Sequence, residues 1–117
     1  MGSPIVHFEL IGRDAAQLKE FYTQLFDWEI GELMGPEMGN YALIDGTSSG
    51  IAGGIGQSDD GNPRTSVYAQ VPDLQATLDK AVALGATVVM PPTEIVPGTT
   101  LAMFIDPAGN TFGLTKG

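Results

Sequence analysis

Two stretches of this chain begin alike. Val6-His7-Phe8-Glu9-Leu10 runs toward Asp14, and Ser66-Val67-Tyr68-Ala69-Gln70-Val71 runs toward Asp73. His7 lies seven residues before Asp14 and Ser66 seven before Asp73, so the second copy is displaced by 59 residues, half of the 117-residue chain. In each copy an alternating run predicts a strand, and the aspartate that follows it is a good helix N-cap. Neither half can bury both faces of its own sheet, so the repeat implies two half-length units packed around one core. At 117 residues the chain is one domain.

The intervening sequence completes each unit. After Gly12-Arg13, Asp14 and Gln17 form a capping-box-like pair, and Leu18, Phe21, Tyr22, Leu25 and Phe26 recur at helical spacing. That stripe is expected to be core. Residues 27–34 read as a strand, 35–39 as a turn, 40–44 as a short strand, 45–50 as a loop and 51–56 as a glycine-weakened strand. Residues 57–64 hold Asp-Gly and Asn-Pro and read as the one linker. A strand over 65–71, a helix capped by Asp73 and ended by Gly85, and strands over 86–90 (running on toward Val96), 100–105 and 111–115 make the second unit. The order is strand, helix, three strands, twice over. The expected fold is α+β: two tandem βαβββ modules, about 4–56 and 65–117, forming a curved mixed sheet with an open cavity inside and helices outside.

Composition excludes several functions. The formal charge of -9, spread rather than blocked, argues against nucleic acid or an anionic membrane surface as partner. Without cysteine there is no disulfide, thiolate nucleophile or zinc–thiolate site. No apolar run is long enough to span a membrane and no signal-peptide pattern precedes the first strand, so a cytoplasmic protein is expected.

Three pieces of the sequence resemble the vicinal oxygen chelate superfamily, the glyoxalase/bleomycin-resistance/extradiol-dioxygenase group. The opening His7-Phe8-Glu9-Leu10 with Asp14, followed by Phe21-Tyr22-Thr23-Gln24-Leu25-Phe26-Asp27-Trp28, is similar to the family's first strand, cap and aromatic helix end. Gly50-Ile51-Ala52-Gly53-Gly54-Ile55 resembles the strand closing the first module, and Asp106-Pro107-Ala108-Gly109-Asn110-Thr111-Phe112 the terminal turn. The resemblance implies paired βαβββ modules, an open cavity and a homodimer.

It also implies where a divalent metal would be held. Carried over position by position, the family's first histidine falls on His7, the second on Ser66, the last-strand carboxylate on Gly113 and the first module's closing carboxylate near Gly54. One good ligand remains of four, and a catalytic ion ordinarily takes about three protein ligands. No metal or other cofactor is therefore expected, with a divalent ion completed by Glu9, water or substrate as the alternative.

Strand alternation places His7 and Glu9 on the inner face of the first strand, Ser66, Tyr68 and Gln70 on that of the second module, and Thr111, Gly113 and Thr115 on that of the last strand. These are the expected ligand-binding residues, with apolar lining from Trp28, Tyr41 and Met103. His7 and Glu9 are the candidate acid–base pair, set against a plainer reading in which Glu9 pairs with His7 or Arg13 inside the core. The leading functional expectation is metal-independent small-molecule binding. The alternatives are a metal-dependent lyase, isomerase or dioxygenase using His7 and Glu9, and an accessory or regulatory domain whose pocket is vestigial.

Overall fold

The computed structural model describes residues 2–117, and they divide into two compact units: His7–Thr65, and Ser66–Gly117 with the residues leading up to Val6.

The first unit contains β1 (Ile5–Gly12), α1 (Ala15–Phe26), a 3-10 turn (Pro36–Met38), β2 (Ala42–Ile44), a short helix α2 (Gly46–Ser49) and β3 (Gly53–Gln57). Its strands order as β2-β3-β1, with β1 parallel and β2 antiparallel to β3. Asp14 caps α1 as its sequence position implies, accepting from the Gln17 N–H at 3.0 Å. Gln57, from the end of β3, adds a clamp that the sequence did not announce. Its Oε1 accepts from the Ala15 N–H at 3.0 Å, one of the amides a helix start leaves unpartnered, and its Nε2 donates to the Arg13 carbonyl at 2.6 Å.

The core of this unit is Ala15, Ile44 and Ile55, with Phe8, Leu10, Leu18, Tyr22, Trp28, Ile30 and Leu33 packed around it. Three expectations are corrected. The buried line of α1 is Ala15, Leu18 and Tyr22; Phe21, Leu25 and Phe26 are more than half exposed. A helix resting on one sheet buries a narrow stripe, and residues flanking that line turn outward. Residues 27–34 do not form a strand. They follow β2 through Gly31 N–H to Leu43 C=O and Met34 N–H to Tyr41 C=O, with Ile30 in a single bridge to Ile44. The register slips by one residue between those bonds, and such a slip prevents a continuous ladder. The 45–50 loop holds α2, capped by Asp45, whose carboxylate accepts from the Thr47 N–H and hydroxyl.

The second unit keeps the full βαβββ order: β4 (Arg64–Val71, whose first two residues belong to the first unit), α3 (Leu74–Ala83), β5 (Thr87–Val96), β6 (Thr99–Ile105) and β7 (Thr111–Lys116). The strands order as β4-β7-β6-β5, with β7 parallel to β4 and antiparallel to β6. Asp73 caps α3 through the Ala76 N–H, and Gly85 leaves the helix at φ 109°, in the left-handed region that suits glycine. β5 runs through Pro91-Pro92 by shifting register against β6. Ala69, Val71, Leu74, Leu78, Ala102 and Leu114 form the core, with Phe104 and Phe112 stacked beside it. Among the described residues no helix is long and apolar enough to cross a membrane.

Candidate functional site

Alternation along β1 sends Phe8 and Leu10 into the core beneath α1 and leaves His7 and Glu9 on the opposite face. There they join a chain of polar groups. Arg64 Nη2 donates to Glu9 Oε1 at 3.0 Å, an ion pair whose carboxylate is buried and whose guanidinium is partly exposed. The Tyr41 hydroxyl donates to Glu9 Oε2 at 2.9 Å, and His7 Nε2 lies 3.0 Å from the same hydroxyl oxygen. Glu9 is thus paired with Arg64 and Tyr41. His7 meets the same phenol and feels the Glu9 charge, while Arg13 turns to the Gly61 carbonyl at 3.4 Å.

Burial holds the His7 imidazole below its ordinary pKa of 6.5, and the negative charge of Glu9 opposes that shift only in part. The imidazole is therefore mainly neutral at neutral pH and can serve as a donor at one nitrogen and an acceptor at the other.

Tyr41 can stand there because β3 carries glycine. Glu9 and Gly54 are directly paired in the β1–β3 ladder, and a Cβ on Gly54 would meet the Tyr41 hydroxyl and ring. A carboxylate at this position and the phenol would compete for one space. Gly113 repeats the arrangement in the second unit. It pairs with Tyr68 on β4, and a Cβ there would meet the Tyr68 ring. Both positions at which the family resemblance places a carboxylate ligand are glycines covered by a tyrosine.

The donors nearest the family's metal positions already have partners on the protein. His7 Nε2 is engaged by Tyr41, Glu9 has its charge met by Arg64, and among the described residues no three His, Cys, Asp or Glu side chains gather in one group. The buried Ser66 offers a neutral hydroxyl, which these metals favour less than imidazole or carboxylate.

The other expected site residues have individual fates. Tyr68 is buried, with its hydroxyl 3.9 Å from Met103 Sδ, so both belong to the interior of the second unit. Gln70 is exposed and its amide lies over Gly117. Thr111 and Thr115 are half-buried on β7. Trp28 stacks on Tyr22 at 5.7 Å and meets Phe8 edge-on at 5.6 Å, yet also forms one wall of an open cleft. That cleft, about 770 Å³, is bounded by His7, Trp28, Leu43 and Ala52, with the carboxylate residues Glu29 and Asp45 also lining it. The Thr47 amide and hydroxyl hold the Asp45 carboxyl below the usual range, so it is charged.

Arg64 was missed as a site residue because it lies 55 positions from Glu9, in the segment read as a linker. Tyr41, expected as apolar lining, instead brings its hydroxyl to His7 and Glu9. Its signal was Gly54, since a strand glycine often marks the close approach of another group.

Known proteins share this architecture. The sequence profile of the Glyoxalase/Bleomycin resistance protein/Dioxygenase superfamily matches residues 4–114. An anthracycline biosynthesis protein, DnrV of Streptomyces peucetius, is 27% identical over 124 residues, covering 93% of this chain and 45% of that protein. A putative glyoxylase of Mycobacterium bovis, CFP32, is 28% identical over 106 residues, covering 86% of this chain and 41% of its own length. The chain thus spans less than half the length of these curated relatives. Among solved structures, the Mn(II)-bound glyoxalase of Novosphingobium aromaticivorans superposes with a TM-score of 0.69 at 19% identity, over 97% of this chain and 38% of that one. Methylmalonyl-CoA epimerase of Mycobacterium tuberculosis gives 0.69 at 15% identity, over 96% and 86%. These likenesses establish the fold, and the profile match over nearly the whole sequence establishes the kinship: the chain belongs to the Glyoxalase/Bleomycin resistance protein/Dioxygenase superfamily.

Proposed function

We propose that this protein binds a small organic molecule beside His7 and does so without a divalent ion. The observation that carries the reading is the Tyr41 phenol, which takes the space a closing-strand carboxylate would need and ties His7 to Glu9. The cleft beside His7 combines apolar wall with a few polar groups, the composition expected of a ligand site. The name of the Streptomyces relative suggests aromatic natural products as a first class to screen. Homodimerisation goes with this reading, and the exposed Phe21, Leu25 and Phe26 of α1 supply apolar surface for it; sedimentation equilibrium at micromolar protein is expected to give two chains per particle.

The deciding experiment is elemental mass spectrometry on protein purified without chelators, followed by calorimetric titration with nickel, zinc, manganese and iron(II). The expected result is no stoichiometric metal and no binding at micromolar concentration. One ion per chain, lost in His7→Ala, would overturn the metal-free reading and restore metal-dependent lyase, isomerase or dioxygenase chemistry.

A second reading is acid–base catalysis without metal. The continuous chain His7–Tyr41–Glu9 favours it, because it links a neutral imidazole to a buried carboxylate through one hydroxyl. Proton exchange at a carbon acid bound beside His7, followed by deuterium uptake and abolished in His7→Ala, would support it.

A further inference from the structure

We propose that Leu43 is the residue by which the cleft selects its ligand, gripping the apolar body of a small organic cation whose charge is met by Glu29 and Asp45. This deepens the small-molecule reading above and rests on it. β2 buries Ala42 and Ile44 and leaves Leu43, between them, 57% exposed. Strand alternation sets that direction: with its two neighbours in the core, Leu43 has to face away from it. The backbone holds it there. Leu43 stands opposite Gly54 in the β2–β3 ladder, and its carbonyl accepts from the Gly31 N–H at 2.9 Å. Turning the leucine inward would take a one-residue slip that exposes Ala42 and Ile44.

The neighbours on both sides are glycines and bring no side chain to cover it. A Cβ on Gly31 would meet only the Leu43 carbonyl, at 3.7 Å. A lone exposed leucine is ordinary on a convex surface. This one stands in a concavity of about 770 Å³, shared with Trp28 and Ala52 and lying wholly within the first unit. Trp28 is braced by Tyr22, Phe26 and Phe8, whose ring centroids lie 5.7, 4.9 and 5.6 Å away. The apolar wall is therefore in place before a ligand arrives, and a wall already placed loses little freedom on binding.

Charge complementarity names the occupant. Glu29 and Asp45 line the cleft and, among the described residues, no lysine or arginine does. Asp45 is charged, its carboxylate accepting from the Thr47 amide and hydroxyl. The backbone keeps the two acids together: the Asp45 N–H donates to the Glu29 carbonyl at 2.9 Å, and the Glu29 N–H to the Ser48 hydroxyl at 3.0 Å. An anion entering the cleft would give up hydration against like charge, whereas an ammonium would meet opposite charge. The acids alone would specify only a sign. Leu43 and Trp28 add the reason for an organic body, so the expected ligand class is an amine carried on an apolar group.

The test uses the single tryptophan of the chain as its reporter. Phenethylammonium and hydrocinnamate share one apolar body and carry opposite charge. Each is titrated into 15N-labelled protein at neutral pH while the Trp28 indole N–H resonance is followed. The ammonium is expected to shift it saturably and to bind about tenfold more tightly than the carboxylate. Leu43→Ala is expected to weaken the ammonium about tenfold, the worth of a few lost methyl and methylene contacts, with a urea midpoint close to wild type because the leucine is exposed without ligand. Leu43→Thr, which keeps a strand-forming residue, repeats the measurement if the alanine frays β2. Glu29→Gln is expected to narrow the preference for the cation. Equal affinity for the two probes, or ammonium binding untouched in both Leu43 variants, overturns the proposal and leaves small-molecule binding standing. No shift with either probe overturns both. Sedimentation equilibrium of Leu43→Asp tests the other occupant: a monomer where the wild type is a dimer would mean that a second copy covers Leu43, and would also overturn the proposal.

Discussion

The two units solve the same packing problem with different chemistry. In each, a glycine on the closing strand stands in register with an inward-facing residue of the opening strand: Gly54 with Glu9, Gly113 with Tyr68. In each, a tyrosine ring covers that glycine. In the second unit the ring belongs to the paired residue itself, is buried, and points its hydroxyl toward the Met103 sulfur. In the first unit the ring comes from Tyr41, just before β2, and its hydroxyl joins a half-buried polar chain ending on Arg64. The second unit therefore uses its tyrosine as filling, and the first uses it as a connector between ionisable groups.

The contrast predicts unequal responses to substitution. The largest is expected from Tyr68→Ala, which empties a buried site and costs about 3–5 kcal/mol of unfolding free energy; a loss below that of Tyr41→Ala, measured by urea denaturation, would break the assignment of filling to one tyrosine and connection to the other. Next come the glycines. Gly113→Ala drives a methyl into a buried ring and is expected to cost about 1–3 kcal/mol, at the upper end of that range. Gly54→Ala pushes on the far end of a half-buried side chain, and its cost is expected at the lower end because Tyr41 can swing away; equal costs would show the two covers to be equally rigid.

Tyr41→Phe keeps the ring and removes the hydroxyl, leaving Glu9 one acceptor bond short, at a cost of about 1–2 kcal/mol. The same comparison sharpened at the helix starts should vanish: Asp14→Ala and Asp73→Ala each remove one cap and are expected to cost about 1 kcal/mol, alike in both units. A large difference there would mean that the Gln57 clamp carries the start of α1.

The smallest effect is the pH dependence that His7 gives to the first unit. Its folded pKa lies below the 6.5 of a free imidazole. The unfolded chain therefore binds the proton more readily, and the stability from neutral His7 is present above about 6.5 and lost as pH falls through the lower folded value. Urea midpoints are expected to drop between neutral pH and the onset of carboxylate titration, and His7→Ala should flatten that stretch. An unchanged slope in the variant would place the titration elsewhere.

How far these features were legible differs by kind. The opening strands, both aspartate caps, the Gly85 helix end and the seven-residue spacings depend on local backbone preferences, and the sequence displays those directly. The inward direction of His7 and Glu9 followed from period-two alternation, which is equally local. The strand expected over 27–34 failed because a one-residue slip against β2 interrupts the ladder, and register is a property of two segments together. The buried stripe of α1 is narrower than its helical spacing implies, because how much of a helix face is covered depends on what lies beneath it. The Glu9–Arg64 pair joins residues 55 apart, and no local pattern marks a contact at that separation.

By itself, the sequence determined the repeat, the helix ends, the family and the scarcity of metal ligands, because each depends on residue identity and short spacing. Only the tertiary structure decided that Tyr41 lies across Gly54, that Arg64 answers the charge of Glu9 and that Tyr68 is filling. Those outcomes turn on which surfaces meet after the chain has folded, and close packing allows only one side chain to occupy the space a glycine leaves.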